Sequence, residues 1–165
     1  MNKIFSFFNL CLFFIIFCGF GMKFKNEDVA HNQSCGVPKS VIFDTDLGND
    51  IDDVLALQML LNYEKEGKIN LLGITISKSN PYVVEYIDAY CIFNNYPDIP
   101  LGYAYNGVTT DDGKYLRQTL NKIVNGKKLL QPQRSLEKSN ILEGYKLMRK
   151  LLSSQPDSSV ILITV

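Results

Sequence analysis

The chain of 165 residues has no net charge, with 17 lysines and arginines set against 17 aspartates and glutamates. That balance excludes a nucleic-acid partner held by charge, because such binding rests on neutralised phosphates. Histidine is nearly absent: His31, the single copy, lies in a polar stretch and reads as a solvated linker residue. Cysteine is sparse and poorly spaced. Cys11 and Cys18 fall in an apolar leader, while Cys35 and Cys91 lack metal-ligand spacing and read as small buried side chains or free thiols. A phosphate-binding loop is missing too, since Asn125-Gly126-Lys127-Lys128 has neither the upstream glycine nor the following Ser/Thr. No internal repeat or low-complexity segment occurs outside the leader.

Residues 1–22 open with Lys3 and continue as an apolar run from Ile4 to Phe20. This is the pattern of a secretory signal peptide, with an uncleaved membrane anchor as the alternative. Cys18-Gly19 raises a lipoprotein leader, although Phe17 stands where a small residue is expected. Each reading exports the mature part, as a periplasmic, secreted or lipid-anchored protein if the source is bacterial. Residues 23–39 form a polar linker.

From Ser40 onward, apolar patterning alternates between two periods. Ser40–Asp44 reads as a buried strand and Leu47-Gly48-Asn49 as a turn, with Asn49 or Asp50 able to cap the next helix. Ile51, Val54, Leu55, Leu57, Met59, Leu60 and Leu61 are expected to form its inward face. Ile69–Ser77 is a second strand. Asn80 and Pro81 start a helix that runs to about Phe93, as N-cap and first helical residue. Ile99–Tyr103 is a third strand, Ala104–Lys114 a loop with turns at Asn106-Gly107 and Asp111-Asp112-Gly113, and Tyr115–Val124 a weak helix. Gly126–Ser135 is irregular. Leu136–Ser153 is a helix, with Ile141, Leu142, Tyr145, Leu147, Met148, Leu151 and Leu152 inward, and Val160–Val165 is a strand. The order predicts an α/β fold, a mostly parallel open sheet flanked by helices in a Rossmann-like manner.

One stretch dominates the chemistry. Val41-Ile-Phe-Asp-Thr-Asp-Leu-Gly-Asn-Asp-Ile-Asp-Asp-Val-Leu-Ala56 sets Asp44, Asp46, Asp50, Asp52 and Asp53 within ten positions. Carboxylates so crowded repel one another unless a cation sits among them, and a hard divalent ion takes such oxygen ligands. Asp44 and Asp46, two apart at a strand end, are expected to share a face. Asp52 and Asp53 fall where a helix dipole favours negative charge. An EF-hand is excluded: counted from Asp44, the glycine is fifth, Leu55 is twelfth and a strand precedes. A haloacid-dehalogenase-type phosphatase, with Asp44 as nucleophile and Asp46 as acid/base, remains an alternative. Gly48 and the run Asp50-Ile51-Asp52-Asp53 depart from its pattern.

Asp44-Thr-Asp-Leu-Gly-Asn-Asp-Ile-Asp-Asp-Val-Leu-Ala-Leu57 closely resembles the N-terminal signature of the inosine/uridine-preferring nucleoside hydrolase family. Leu72-Gly-Ile-Thr-Ile-Ser77, Asn80 before a helix and Asp98-Ile-Pro-Leu-Gly102 follow in the family's order. The likeness covers about Val41–Tyr105 and is looser through Leu136–Val165. The resemblance implies a hydrolase that cleaves the N-glycosidic bond of ribonucleosides with one bound Ca²⁺. It implies Asp46 as metal ligand and as acceptor of the attacking water's proton, Asp53 as bidentate metal ligand, and Asp44 as a metal-site carboxylate. It further implies Val165 as a backbone-carbonyl ligand, and Asp52 and Asn80 as ribose contacts. Asp52-Asp53 are taken as the paired acids because Val54–Leu57 then falls in register; the role of Asp50 stays open. Family members run roughly twice this length. Residues 40–165 are therefore expected to be the N-terminal part of such a domain, binding Ca²⁺ weakly alone, with a homo-oligomer left open. An inactive remnant, or a nucleoside- or sugar-binding module, is the alternative from another class.

Overall fold

The computed structural model describes residues 37–165. The leader, the linker as far as Gly36, His31, Cys11, Cys18 and Cys35 lie outside the described residues. The chain forms β1 (Lys39–Thr45), α1 (Asp52–Lys65), β2 (Ile69–Ile76), α2 (Pro81–Phe93) and β3 (Leu101–Tyr103). It continues as α3 (Leu116–Leu120), β4 (Ile123–Val124), β5 (Lys127–Lys128), β6 (Leu142–Glu143), α4 (Gly144–Ser153) and β7 (Val160–Thr164).

Five strands make one sheet in the order β6-β3-β2-β1-β7, and each pairing in it is parallel. The fold is α/β and Rossmann-like. From β1 the chain steps outward through β2 and β3 to β6, then returns to the opposite side of β1 for β7. The strand order therefore reverses between β1 and β7, and ligands in such sheets bind beyond the carboxyl ends of the strands at that point.

Strand alternation distributes the two faces. Val41 and Phe43 of β1 with Ile74 and Ile76 of β2 join Val54, Leu57 and Leu61 of α1 and Val83 and Ile87 of α2 in the main core. The other face is narrowed by glycines so that α4 can lie close. A Cβ added to Gly102 would stand 2.9 Å from Gly144 Cα and 3.0 Å from Leu147 Cβ. Cys91 belongs to the core, where burial pushes its thiol up to about 12.

Several elements differ from expectation. Seven apolar residues on and before α1 cover more than one side of a helix, and the sheet accepts only one. Val54, Leu57, Leu60 and Leu61 are buried, whereas Ile51, Leu55 and Met59, four apart on the opposite side, are 58%, 57% and 54% exposed. The weak helix after Tyr115 shrinks to α3, because Asn125-Gly126, with φ of 52° and 76°, turns β4 back on β5 as a hairpin. The helix expected from Leu136 begins at Gly144, with Tyr145 and Leu152 exposed. The irregular segment before it is held by α2: buried Asp88 accepts from the backbone N–H of Gln133 (2.6 Å) and Arg134 (2.8 Å) and from Arg134 Nε (2.5 Å).

Candidate functional site

The acidic turn leaves the carboxyl end of β1 beside the point where strand order reverses. Thr45, on the α1 side, fixes its root. Its hydroxyl donates to Asp53 Oδ1 and accepts from the N–H of Leu47 at 3.1 Å. Asp44 faces the other way. Its Oδ1 accepts from Thr75 Oγ1 at 2.5 Å, and its backbone carbonyl accepts from the N–H of Val165 at 3.2 Å. Beside it opens a cavity of about 260 Å³ lined by residues including Thr75, Ser77, Tyr103, Tyr105 and Glu143. The strand ends at Thr45, so the alternation that was to place Asp44 and Asp46 on one face stops before Asp46, which is exposed.

Asp53 is the buried acid of the turn, 4% exposed in the first turn of α1. Burial raises its pKa above the ordinary aspartate value; the Thr45 hydrogen bond works against this, while Asp46, Asp52 and Asp50 push it up further. The structure thus gathers Asp46, Asp50, Asp52 and Asp53 into one electrostatic neighbourhood. Neither Asn49 nor Asp50 caps α1: the N-cap position is Ile51, without a side-chain cap. Both residues are committed elsewhere.

What commits them is the loop 109–115, which lies across the turn as a strap. Gly48 has φ of +143°, and its carbonyl accepts from the N–H of Lys114 at 2.7 Å. Gly113, at φ +68°, passes so close that an added Cβ would stand 2.3 Å from Gly48 O; only glycine fits both the conformation and the approach. Tyr115 Oη donates to the Asp50 carbonyl at 2.9 Å, and exposed Lys114 Nζ reaches Asp50 Oδ1 at 3.1 Å. The Asn49 amide, with its nitrogen toward Asp111 Oδ1 (3.1 Å), accepts from Lys78 Nζ at 3.1 Å.

Asn80 caps α2 by accepting from the N–H of Tyr82 at 2.9 Å, with Pro81 first in the helix, as its sequence position predicts. Its Nδ2 donates to the carbonyls of Thr110 (3.2 Å) and Asp111 (3.0 Å) and to Asp112 Oδ1 (3.1 Å). Asn80 is therefore buried beneath the strap rather than open toward a ligand. Lys78, Asp111, Lys114 and Tyr115 carry no mark of a site residue in the sequence. Asp111-Asp112-Gly113 signals a turn, but nothing local says that this turn lands on residues 48–50.

The oxygen-rich donor set suits Ca²⁺ in kind, and buried Asp53 among like charges is the donor most in need of a cation. Among the described residues, however, no three of His, Cys, Asp or Glu converge on one point closely enough to hold an ion. Compared with known proteins, the chain matches no family model and no curated protein.

Proposed function

We propose that the acidic turn is the metal- and ribose-binding site of a hydrolase that cleaves the N-glycosidic bond of ribonucleosides, carried on a nucleoside-hydrolase-like sheet. The observation behind this reading is Asp53, a carboxylate buried among Asp46, Asp50 and Asp52 where the strand order of a parallel sheet reverses. The resemblance of Asp44–Leu57 to the family signature supplies the substrate class.

In this reading Asp53 and Asp46 would hold Ca²⁺, with the carbonyl of Val165 as a further ligand, while Asp44, turned to Thr75 on the other face, steadies the strand end. Bound there, Ca²⁺ supplies Lewis acidity that lowers the pKa of a nearby water. Asp46, exposed at the strand end, takes the proton of the attacking water. Asp52 binds ribose hydroxyls and so orients the sugar. Asn80, buried beneath the strap, supports the site from below by capping α2 and holding the loop 109–115, and is not itself a ribose contact. The bond to the base breaks from an oxocarbenium-like sugar, as in other glycoside hydrolyses.

The test is ribose release from inosine and uridine with Ca²⁺ present. However slow in the wild type, release is expected to fall by about 100-fold or more in Asp46→Asn. Release from no nucleoside would sink the reading. Nucleoside binding without release would leave a binding module. Phosphate release from a small phosphomonoester, lost in Asp44→Asn, would replace it with a haloacid-dehalogenase-type phosphatase.

A further inference from the structure

The chain between β2 and α2 buries a cation. Lys78 is fully buried (0% exposed). Its ammonium lies 2.9 Å from Asp111 Oδ1 and, with the Asn49 amide turned so that its oxygen meets the ammonium and its nitrogen meets Asp111, 3.1 Å from that amide oxygen. It also lies directly under the turn, since a Cβ added to Gly48 would come within 3.6 Å of Nζ. A buried ammonium carries a desolvation cost that a methionine of similar length avoids. Packing alone therefore does not account for a lysine here.

Its two partners account for it. Asn49 belongs to the acidic turn and Asp111 to the strap, so one charge ties both segments from below. Asp111 is preorganised for the task, because the same Oδ1 accepts from the N–H of Gly113 at 2.8 Å. Lys78, followed by the Gly113 N–H, also holds the Asp111 carboxyl below the usual range. Above this tie the strap makes its backbone contacts with the turn, from Lys114 N–H to Gly48 O and from Tyr115 Oη to Asp50 O.

We propose that Lys78 is a positioning residue of the acidic turn: its ammonium clamps Asn49 to Asp111 and so sets the Gly48–Asp53 backbone for binding a divalent cation. The inference rests on reading the turn as the Ca²⁺ and ribose site.

Lys78→Met and Asp111→Ala test it in the full chain, read by amide hydrogen exchange and by calorimetric titration with Ca²⁺. Both variants are expected to exchange the amides of Gly48–Asp53 and Lys114 about 10- to 100-fold faster, the loss of a charge-assisted hydrogen bond. Amides of β3 should keep their protection, and Ca²⁺ affinity should fall by a similar factor. A lysine that only fills space would be replaced by methionine with exchange and Ca²⁺ affinity unchanged, and that result overturns the proposal. If Lys78→Met does not fold, Asp111→Ala decides, since Asp111 is on the surface: unchanged turn exchange there also overturns it. If the wild type binds no Ca²⁺ but the turn still loosens in the variants, the clamp stands and the metal reading falls.

Discussion

Replacing Asp53 with asparagine should make the metal-free protein more stable and make it indifferent to Ca²⁺. The amide would keep the shape and the carbonyl that accepts the Thr45 hydroxyl, and would replace a buried negative charge facing three acids with a neutral group whose NH2 can donate toward them. A buried polar group without adequate compensation costs about 1–3 kcal/mol, and a charged one more, so Asp53→Asn should gain about that amount in EDTA. In the wild type, Ca²⁺ at about 100 times its Kd adds about 2.7 kcal/mol to the native state. For a domain of this size that is a rise in Tm of roughly 8–16 °C. The pH dependence has a definite sign. Because the native pKa of Asp53 is raised, the folded state holds its proton more tightly than the unfolded chain does. The associated stability is complete below the ordinary aspartate value, about 3.9, and is lost as the pH climbs through the raised native value. The difference between wild type and Asp53→Asn should therefore widen with pH in EDTA and close when Ca²⁺ is added. Differential scanning calorimetry over that pH range gives every quantity needed. A variant less stable than the wild type in EDTA, or a wild-type Tm that ignores Ca²⁺, would refute the reasoning.

Three further outcomes follow from named contacts. Asp88→Ala removes the acceptor of three hydrogen bonds and leaves Arg134 without its carboxylate; a loss of about 3–5 kcal/mol is expected in urea unfolding, with little change at the acidic turn. Gly113→Ala should cost about 1–2 kcal/mol from the left-handed backbone alone. Its Cβ would also collide with Gly48 O, so amide exchange at residues 48–50 should quicken. Tyr115→Phe deletes the bond to the Asp50 carbonyl and should lower stability by about 1 kcal/mol, measured by thermal unfolding.

What is legible in the sequence depends on how local the determining contacts are. Asn80 and Pro81 announce a helix start because capping is decided within three residues, and α2 begins there. The apolar run before Asp44 becomes a central strand, although it extends from Lys39 to Thr45 and so puts Thr45 rather than Asp46 in the strand's last position. The inward face of α1 is ambiguous because Ile51, Leu55 and Met59 satisfy helical spacing as well as Val54, Leu57 and Leu61 do. Composition cannot say which stripe the sheet takes. Lys78 and the strap are invisible for a different reason. The ammonium meets a carboxylate 33 positions away, and Arg134 meets Asp88 across 46. A lone lysine between two serines carries no mark of burial. The five acids of the turn are plain from the start. Their division, with Asp44 bonded to Thr75 beside a cavity and Asp53 bonded to Thr45 at the head of α1, comes only with the sheet.

The central claim is that a divalent cation and a ribose meet at the acidic turn, and backbone amide NMR of the full chain tests it directly. Ca²⁺ is titrated first and inosine second. The account predicts shifts at Asp46–Asp53 and Val165 on the first addition, and further shifts at Asp52 only after Ca²⁺ is present. A spectrum unmoved by both, or shifts confined to residues away from the turn, would contradict it.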